Sequence, residues 1–349
     1  MFKSIFKTSA LKNRPLKNNA RKFSVLIALL FIFAVIPFAL SGFRYTSGGS
    51  SSNSSLSSSP SSGPTYADGV SPDAIAIDAS GNIWVANEGN GNAGTAAYDS
   101  NVTELSPSGA TIGTYVAGSD PHAIAIDASG NVWVANGGNN DVTELSSSGA
   151  TIATYATGSF GNYDAGSDPS AIAIDSSGNV WVANQGNGDV MEHRSSGVLL
   201  HNYAVGSGPD AIAIDASGNV WVANIGSDNV TELSSSGTLL HTYAAGSYPS
   251  AVAIDSSGNV WVANQGNGTV GTAPGDSNVM ELNFTNKKVY TYLAGSSPLA
   301  IAIDASGNVW VANKGNGTAG TAPGDSNVTK LVSVAKGPQY FPYSGPQHP

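Results

Sequence analysis

The stretch AIAIDASGNVWVAN at residues 123 to 136 is written six times, with close copies starting at residues 74, 171, 211, 251 and 300. A chain that repeats itself this closely builds one supersecondary unit again and again, so the period constrains the fold before any single residue does. The tryptophans of the copies, Trp84, Trp133, Trp181, Trp221, Trp261 and Trp310, stand 49, 48, 40, 40 and 49 residues apart. A 40-residue unit with insertions accounts for every spacing. Within it lie four strand-like runs, AIAID, NVWVAN, NVTELSS and TLLHTYA, separated by clusters of Gly, Asn, Ser and Asp. Period-two alternation of β-branched and aromatic residues, with no helical stripe, makes the body all β.

The first strand alternates Ala with Ile or Val, so neither of its faces is built for water. Such a strand suits the inside of a radial stack, where each sheet is covered by its neighbours. The small Ala face leaves room for a bulky group, and the tryptophans of an adjacent sheet are the candidates. The expected fold is a six-bladed β-propeller of four-stranded antiparallel blades. Units one to five place Tyr115, Tyr155, Tyr203, Tyr243 and Tyr292 ten residues after the end of strand three, and in four of them the blade-opening Pro follows six residues later. Tyr66 stands six residues before Pro72, like an orphan fourth strand. The last unit instead runs into KGPQYFPYSGPQHP, whose prolines suit a strand poorly. The spacing therefore predicts that residues 64–68 close the ring as the outer strand of the last blade, pairing around Asn327 to Val334. The rival, with Phe341 in place of the missing Tyr, leaves the fold unchanged.

Charge divides the chain into regions. Eight of the 14 basic residues lie at or before Arg44 and all 24 acidic residues lie after it, so the remainder has six basic against 24 acidic residues, a net of −18. A body this acidic is repelled by phosphate backbones, which argues against nucleic acid as a partner. With no cysteine, disulfides, thiolate metal sites and cysteine catalysis are all excluded. Residues 1–22 read as a basic cytoplasmic start, and residues 23–40, FSVLIALLFIFAVIPFAL, as a signal peptide or N-terminal membrane anchor. Basic residues stay on the cytoplasmic side, so the rest is expected to be extracytoplasmic, secreted or tethered. Residues 41–63 form a Ser-rich flexible linker, residues 64–335 the propeller, and residues 336–349 a Pro-rich tail. The expected state is a monomer that meets the membrane only through its N-terminal segment.

The pattern P-x-A-I-A-I-D-x-S-G-N-V-W-V-A-N-x-G-N resembles the NHL-repeat propellers and the streptogramin-lyase (virginiamycin B lyase-like) group over residues 65 to about 335. NHL proteins are mostly binding modules, whereas the lyases are metal-dependent enzymes usually described with seven blades. Six repeats depart from that number, so no catalytic residue carries over. The chain is also similar in architecture to the six-bladed gluconolactonase-like enzymes, but their metal-binding acidic and Asn residues have no matching motif here. The D-x-S-G-N-x-W hairpin resembles the Asp-box of sialidases with its Asp one residue too far from the Trp.

Function is expected where the copies differ. Loops joining strands one to two and three to four lie on one face of the disc and are nearly invariant. The six hairpin aspartates, Asp78, Asp127, Asp175, Asp215, Asp255 and Asp304, read as turn-formers accepting backbone N–H groups beside a positive-φ glycine. Every insertion lies on the opposite face. Three similar Gly-rich loops, in blades one, five and six, place Asp99, Asp276 and Asp325 equivalently. Such carboxylates are candidate ligands for Ca2+ or Mg2+, and their Asp-Ser-Asn setting is equally a common turn. Near the central mouth of this face stand Asp73, His122 and Asp210, each following a blade-opening Pro, and Glu88, Gln185, Gln265 and Lys314, each following the strand-two Asn. Asp73, Glu88, His122 and Asp210 would make an acid, base or metal group if they converged; apart, they form a solvated rim. An insertion before Pro169 adds Phe160 and Tyr163, whose rings suit a sugar or peptide and equally suit the covering of a blade edge. His193, His201 and His241 read as surface residues of outer strands. The expected function is a binding module for a protein, peptide or glycan ligand. A metal-dependent lyase or lactone hydrolase and a structural surface protein are the alternatives.

Overall fold

The structure, a computed structural model, describes residues 69–96, 99–157, 167–272, 275–284, 287–315 and 326–331. The N-terminal segments, residues 64–68 and the C-terminal tail lie outside the described residues, as do Phe160, Tyr163 and Asp325. Among the described residues no helix is long and apolar enough to cross a membrane.

Six antiparallel sheets follow one another along the chain. Blade one contains β1 (Pro72–Ile77), β2 (Ile83–Asn87), β3 (Asn101–Leu105) and β4 (Thr111–Tyr115). Blade two contains β5 (Pro121–Ile126), β6 (Val132–Asn136), β7 (Asp141–Leu145) and β8 (Thr151–Ala156). Blade three has β9 (Pro169–Ile174), β10 (Val180–Asn184), β11 (Asp189–His193) and β12 (Leu199–Ala204). Blade four has β13 (Pro209–Ile214), β14 (Val220–Asn224), β15 (Asn229–Leu233) and β16 (Leu239–Ala244). Blade five has β17 (Pro249–Ile254), β18 (Val260–Asn264), β19 (Asn278–Asn283) and β20 (Lys288–Tyr292). In blade six, β21 (Pro298–Ile303), β22 (Val309–Asn313) and β23 (Asn327–Leu331) are described. The molecule is a six-bladed β-propeller, as the repeat period predicts.

Each first strand packs on the first strand of the next blade, from β1 on β5 through to β17 on β21. The contents of these seams correct one expectation. Trp84 lies directly across from Ala76 in its own sheet, and directly opposed residues share a face. The small Ala thus makes room for the Trp of its own blade. What covers that face is the Val and Ile side of the following blade: Trp84 and Val102 meet Val132, Val134 and Ile124. Like cores join blades two to three, three to four, four to five and five to six. Full burial of a Val side chain contributes about 1.5–3 kcal/mol, so each seam is a major source of stability.

The invariant hairpins are built from side-chain hydrogen bonds. Asp78 Oδ1 accepts from the backbone N–H groups of Ser80 and Asn82, at 2.8 and 2.9 Å, while Oδ2 accepts from Trp84 Nε1 at 3.3 Å. All six blades repeat this arrangement, down to Asp304 with Ser306, Asn308 and Trp310. The carboxylate therefore shapes the turn and fixes the indole. At the other end of β2, Asn87 is fully buried and donates to Asn101 Oδ1 at 2.9 Å and Thr103 Oγ1 at 3.1 Å, tying strand two to strand three.

Connections between blades share one conformation. The residue before each blade-opening Pro is left-handed, with φ between 36° and 61° at Ser71, Asp120, Asp168, Gly208, Tyr248 and Ser297. Only one of the six is Gly, so the surrounding turn enforces a conformation that costs most residues free energy.

Candidate functional site

The insertion-bearing face gathers its polar groups in pairs. His122, at the start of β5 and largely buried, points its Nδ1 at Asp168 Oδ1 across 3.6 Å, reaching from blade two to the connection that opens blade three. Asp168 is the left-handed residue of that connection, and its N–H donates to Asn140 Oδ1 at 2.9 Å. Gly137 makes the pairing possible. A Cβ there would lie 2.3 Å from His122 Cε1 and 2.8 Å from Asp168 Oδ1, closer than real Cβ contacts allow. The other five blades carry Glu88, Gln185, Ile225, Gln265 and Lys314 at this position, so in blade two the pair fills space that a side chain occupies elsewhere. One blade on, Gln185 Nε2 donates to Asp210 Oδ1 at 2.7 Å, joining blade three to blade four. The two pairs and the insertion at 158–166 thus belong to blades two to four.

Other positions after the blade-opening Pro serve the fold. Ser170 Oγ donates to the carbonyl of Pro209 at 2.7 Å and Ser250 Oγ to that of Pro298 at 2.9 Å, binding neighbouring first strands together. Leu299 is buried. Asp73, Glu88, Gln265 and Lys314 are each half-buried, in blades one, five and six. Among the described residues no three His, Asp or Glu side chains come close enough to hold a metal ion, so His122 does not gather two of Asp73, Glu88 and Asp210 around itself.

The long loops have ordered internal structure. Ala93 bridges to Ser100 in blade one and Val270 to Ser277 in blade five. Asp99 Oδ2 accepts from the N–H of Ala96 at 3.0 Å, and Asp99 folds onto Gly94 much as Asp276 folds onto Gly271. Both carboxylates are turned into their own loops, as the Asp-Ser-Asn turn composition implies. The described residues thus offer no donor set that fits Ca2+ or Mg2+; Asp325 lies outside them.

Comparison with known proteins places this face in context. A family model described as SMP-30/Gluconolactonase/LRE-like region matches residues 201–254. Among solved structures the chain is similar to virginiamycin B lyase from Staphylococcus aureus, with 18% identity, a TM-score of 0.60, and coverage of 75% of this chain and 81% of that one. It is similar to a streptogramin B lyase at 17% identity and a TM-score of 0.57, covering 69% and 76%. Hydrazine synthase of Kuenenia stuttgartiensis shows 17% identity and a TM-score of 0.58, covering 71% and 75%. No curated protein matches the chain in sequence. The chain shares the propeller fold of the streptogramin lyases.

At these identities the likeness carries the fold alone. The family match spans β12 to β17, so it includes Asp210 and leaves out His122, Asp168 and Gln185. Two features of the structure escape a sequence reading. Asp168 lies in a plain GSDP turn, 46 residues from its partner His122, and only the blank Gly137 hints that something fills the gap. His193 is buried within the third strand β11, with burial holding its pKa below the usual histidine range, and its ring lies 6.3 Å from that of Tyr155. It is no surface residue, because β11 is covered by the preceding blade's Tyr as well as by its own sheet. His201 is exposed, and His241 lies 3.6 Å from Glu232.

Proposed function

We propose that this chain is an exported binding module that takes a polar ligand, a glycan or a peptide, at the mouth of the insertion-bearing face. The observation that supports this reading is the His122–Asp168 pair lodged in the space opened by Gly137. A largely buried imidazole beside an exposed carboxylate presents a donor and an acceptor in fixed positions, which is what orients a polyhydroxylated ligand. The neighbouring Gln185–Asp210 pair adds an amide and a second carboxylate, and Phe160 and Tyr163 belong to the adjacent insertion. Export rests on residues 23–40, which secrete or tether a monomer whose acidic body avoids nucleic acid.

A thermal-shift screen of the purified chain against a glycan set, peptides, Ca2+ and Mg2+ tests this reading. A saturable rise in Tm with a glycan or peptide, lost in His122→Ala, is expected. A shift with divalent cations alone would favour the metal-dependent lyase or lactone hydrolase reading, which needs a cluster that the described residues do not supply. No shift with any compound would leave a structural surface protein.

A further inference from the structure

The connection into blade five carries a residue that its backbone disfavours. Tyr248 is left-handed, with φ 55°, a region that bulky side chains rarely adopt. The turn itself does not need the ring. Both backbone groups of Tyr248 are held whatever the side chain: its N–H donates to Asp228 Oδ1 at 2.8 Å and its carbonyl accepts from the N–H of Gln265 at 3.0 Å, just as Asp168 donates to Asn140 Oδ1 and accepts from Gln185. Gly208 holds the same place one blade earlier without the strain. Tyr248 nevertheless keeps its side chain on the surface, 54% exposed, and among the described residues of the inter-blade connections and the loops joining strands two and three it is the one aromatic. A strained residue with its ring turned to solvent points to a function.

The neighbouring position is apolar too. In blade two a Cβ at Gly137 would lie 2.8 Å from Asp168 Oδ1, so the residue after the strand-two Asn meets the left-handed residue of the next connection. In blade four those two places hold Ile225 and Tyr248, and no other blade puts an apolar side chain at both. Ile225 is half-buried; its N–H donates to the Gly208 carbonyl at 2.8 Å, and its Cγ2 leans over Gly208, 3.2 Å from where a Cβ would stand. Asp210, two residues beyond Gly208, holds Gln185 Nε2 at 2.7 Å. The apolar pair thus adjoins a carboxylate and an amide.

We propose that Ile225 and Tyr248 form a platform for the C–H face of a sugar ring, with Asp210 and Gln185 accepting from and donating to its hydroxyls, and that the ligand of the mouth is a neutral glycan. This inference rests on the reading of the mouth as a binding site and narrows it to one class of ligand. A sugar ring has an apolar C–H face and a hydroxyl edge, which match an aromatic surface bordered by a few polar groups. The backbone bonds of Tyr248 fix the platform before the ligand arrives, so little ordering is lost on binding. Charge turns away acidic sugars: beyond Arg44 the chain has six basic against 24 acidic residues, which repel uronates and sulfated sugars. A Lys or Arg side chain fits less well, because Asp210 and Asp228 already hold neutral N–H donors and Ile225 offers a cation nothing. Together with His122–Asp168 and Gln185–Asp210, the Ile225–Tyr248 pair occupies three consecutive seams from blade two to blade five, which suits an oligosaccharide better than a single sugar unit.

Calorimetric titration of the full chain with short neutral oligosaccharides of glucose, mannose and galactose tests this, with an oligolysine peptide as the competing probe. At least one of the oligosaccharides should bind saturably. Tyr248→Gly should weaken that binding at least about tenfold, whereas Tyr248→Phe, which keeps the ring face, should hold it within about twofold. Without ligand, Tyr248→Gly should melt within about 2 °C of the unaltered chain or above it, because relief of the left-handed strain offsets the greater freedom of Gly when unfolded. A larger fall would assign the ring to the fold, and loss of binding in Tyr248→Phe would assign the contact to the hydroxyl; each overturns the proposal. Binding that is lost in His122→Ala but unchanged in Tyr248→Gly overturns it as well, while keeping the mouth as a binding site. Binding by none of the oligosaccharides also overturns it; saturable binding of oligolysine in their place would keep the mouth as a site for a basic peptide, so the two readings fail separately.

Discussion

Tyr155 donates its phenolic hydrogen to Glu144 Oε2 at 2.8 Å while its ring stacks on Trp133 at a centroid distance of 5.5 Å. Glu144 also accepts from Asn131 Nδ2 at 3.0 Å, so one carboxylate locks strand four to the hairpin between strands one and two. Replacing Tyr155 by Phe keeps the stack and removes only the hydrogen bond to a charged acceptor. The expected loss of stability is about 1.5–3 kcal/mol, measured by urea unfolding with an unchanged m-value.

The same network sets the alkaline limit of the fold. Burial, the hydrogen bond to Glu and the charge of that Glu push Tyr115 and Tyr155 up to about 12, and raise Tyr203 and Tyr292 in the same way. In the unfolded chain these phenols ionise near pH 10, so above that pH the folded state binds more protons than the unfolded one. Stability from these groups is complete below pH 10 and is lost as pH rises through 12. Tm should be level up to pH 10 and then fall steeply; the Tyr115→Phe, Tyr155→Phe double variant should fall less steeply.

Gly197 separates two costs that usually arrive together. Its φ is +75°, and a Cβ there would lie 1.7 Å from Tyr155 Cε1 of the preceding blade; Gly258 has φ +81° with nothing within 4 Å. Gly258→Ala should cost about 1 kcal/mol from backbone strain alone. Gly197→Ala should add about 1–3 kcal/mol of overpacking, and equal melting temperatures for the two variants would contradict this account of the seam.

Gly137→Ala is the sharpest test of the mouth. Its backbone sits outside the left-handed region, and the atoms nearest the added Cβ belong to the end of His122 and the Asp168 carboxylate. Folding stability should change by less than about 1 kcal/mol, since the atoms met are the ends of two side chains, and the exposed Asp168 carboxylate leaves the His122 ring room to turn. Affinity for the ligand that stabilises the unaltered chain should drop at least about tenfold by calorimetry, which corresponds to about 1.4 kcal/mol.

Architecture was readable in the sequence because a period of 40 residues and a hairpin as regular as DASGN act locally, within one unit. The turn role of Asp78 and its equivalents follows from spacing alone. Glu104 and its counterparts were not readable: a polar residue at period two on a third strand reads as solvent-facing, yet these are at most 8% exposed because Tyr and Asn side chains cover them. The partner of His122 is not legible in the sequence, since the pairing with Asp168 crosses from blade to blade and depends on a missing side chain at 137. The sheet that supplies the Trp beside each small Ala is not legible in the sequence, because composition cannot say which neighbour a small residue makes room for.

The left-handed residue before each blade-opening Pro has a further meaning. Its backbone is dictated by the turn, and the six copies hold Ser, Asp, Asp, Gly, Tyr and Ser there. The scaffold is thus indifferent to what it carries at six equivalent points around one rim. Recognition can be rewritten at those points by exchange of single residues, and duplication of a blade adds another such point without disturbing the rest, so the molecule is as much a display frame as a single receptor.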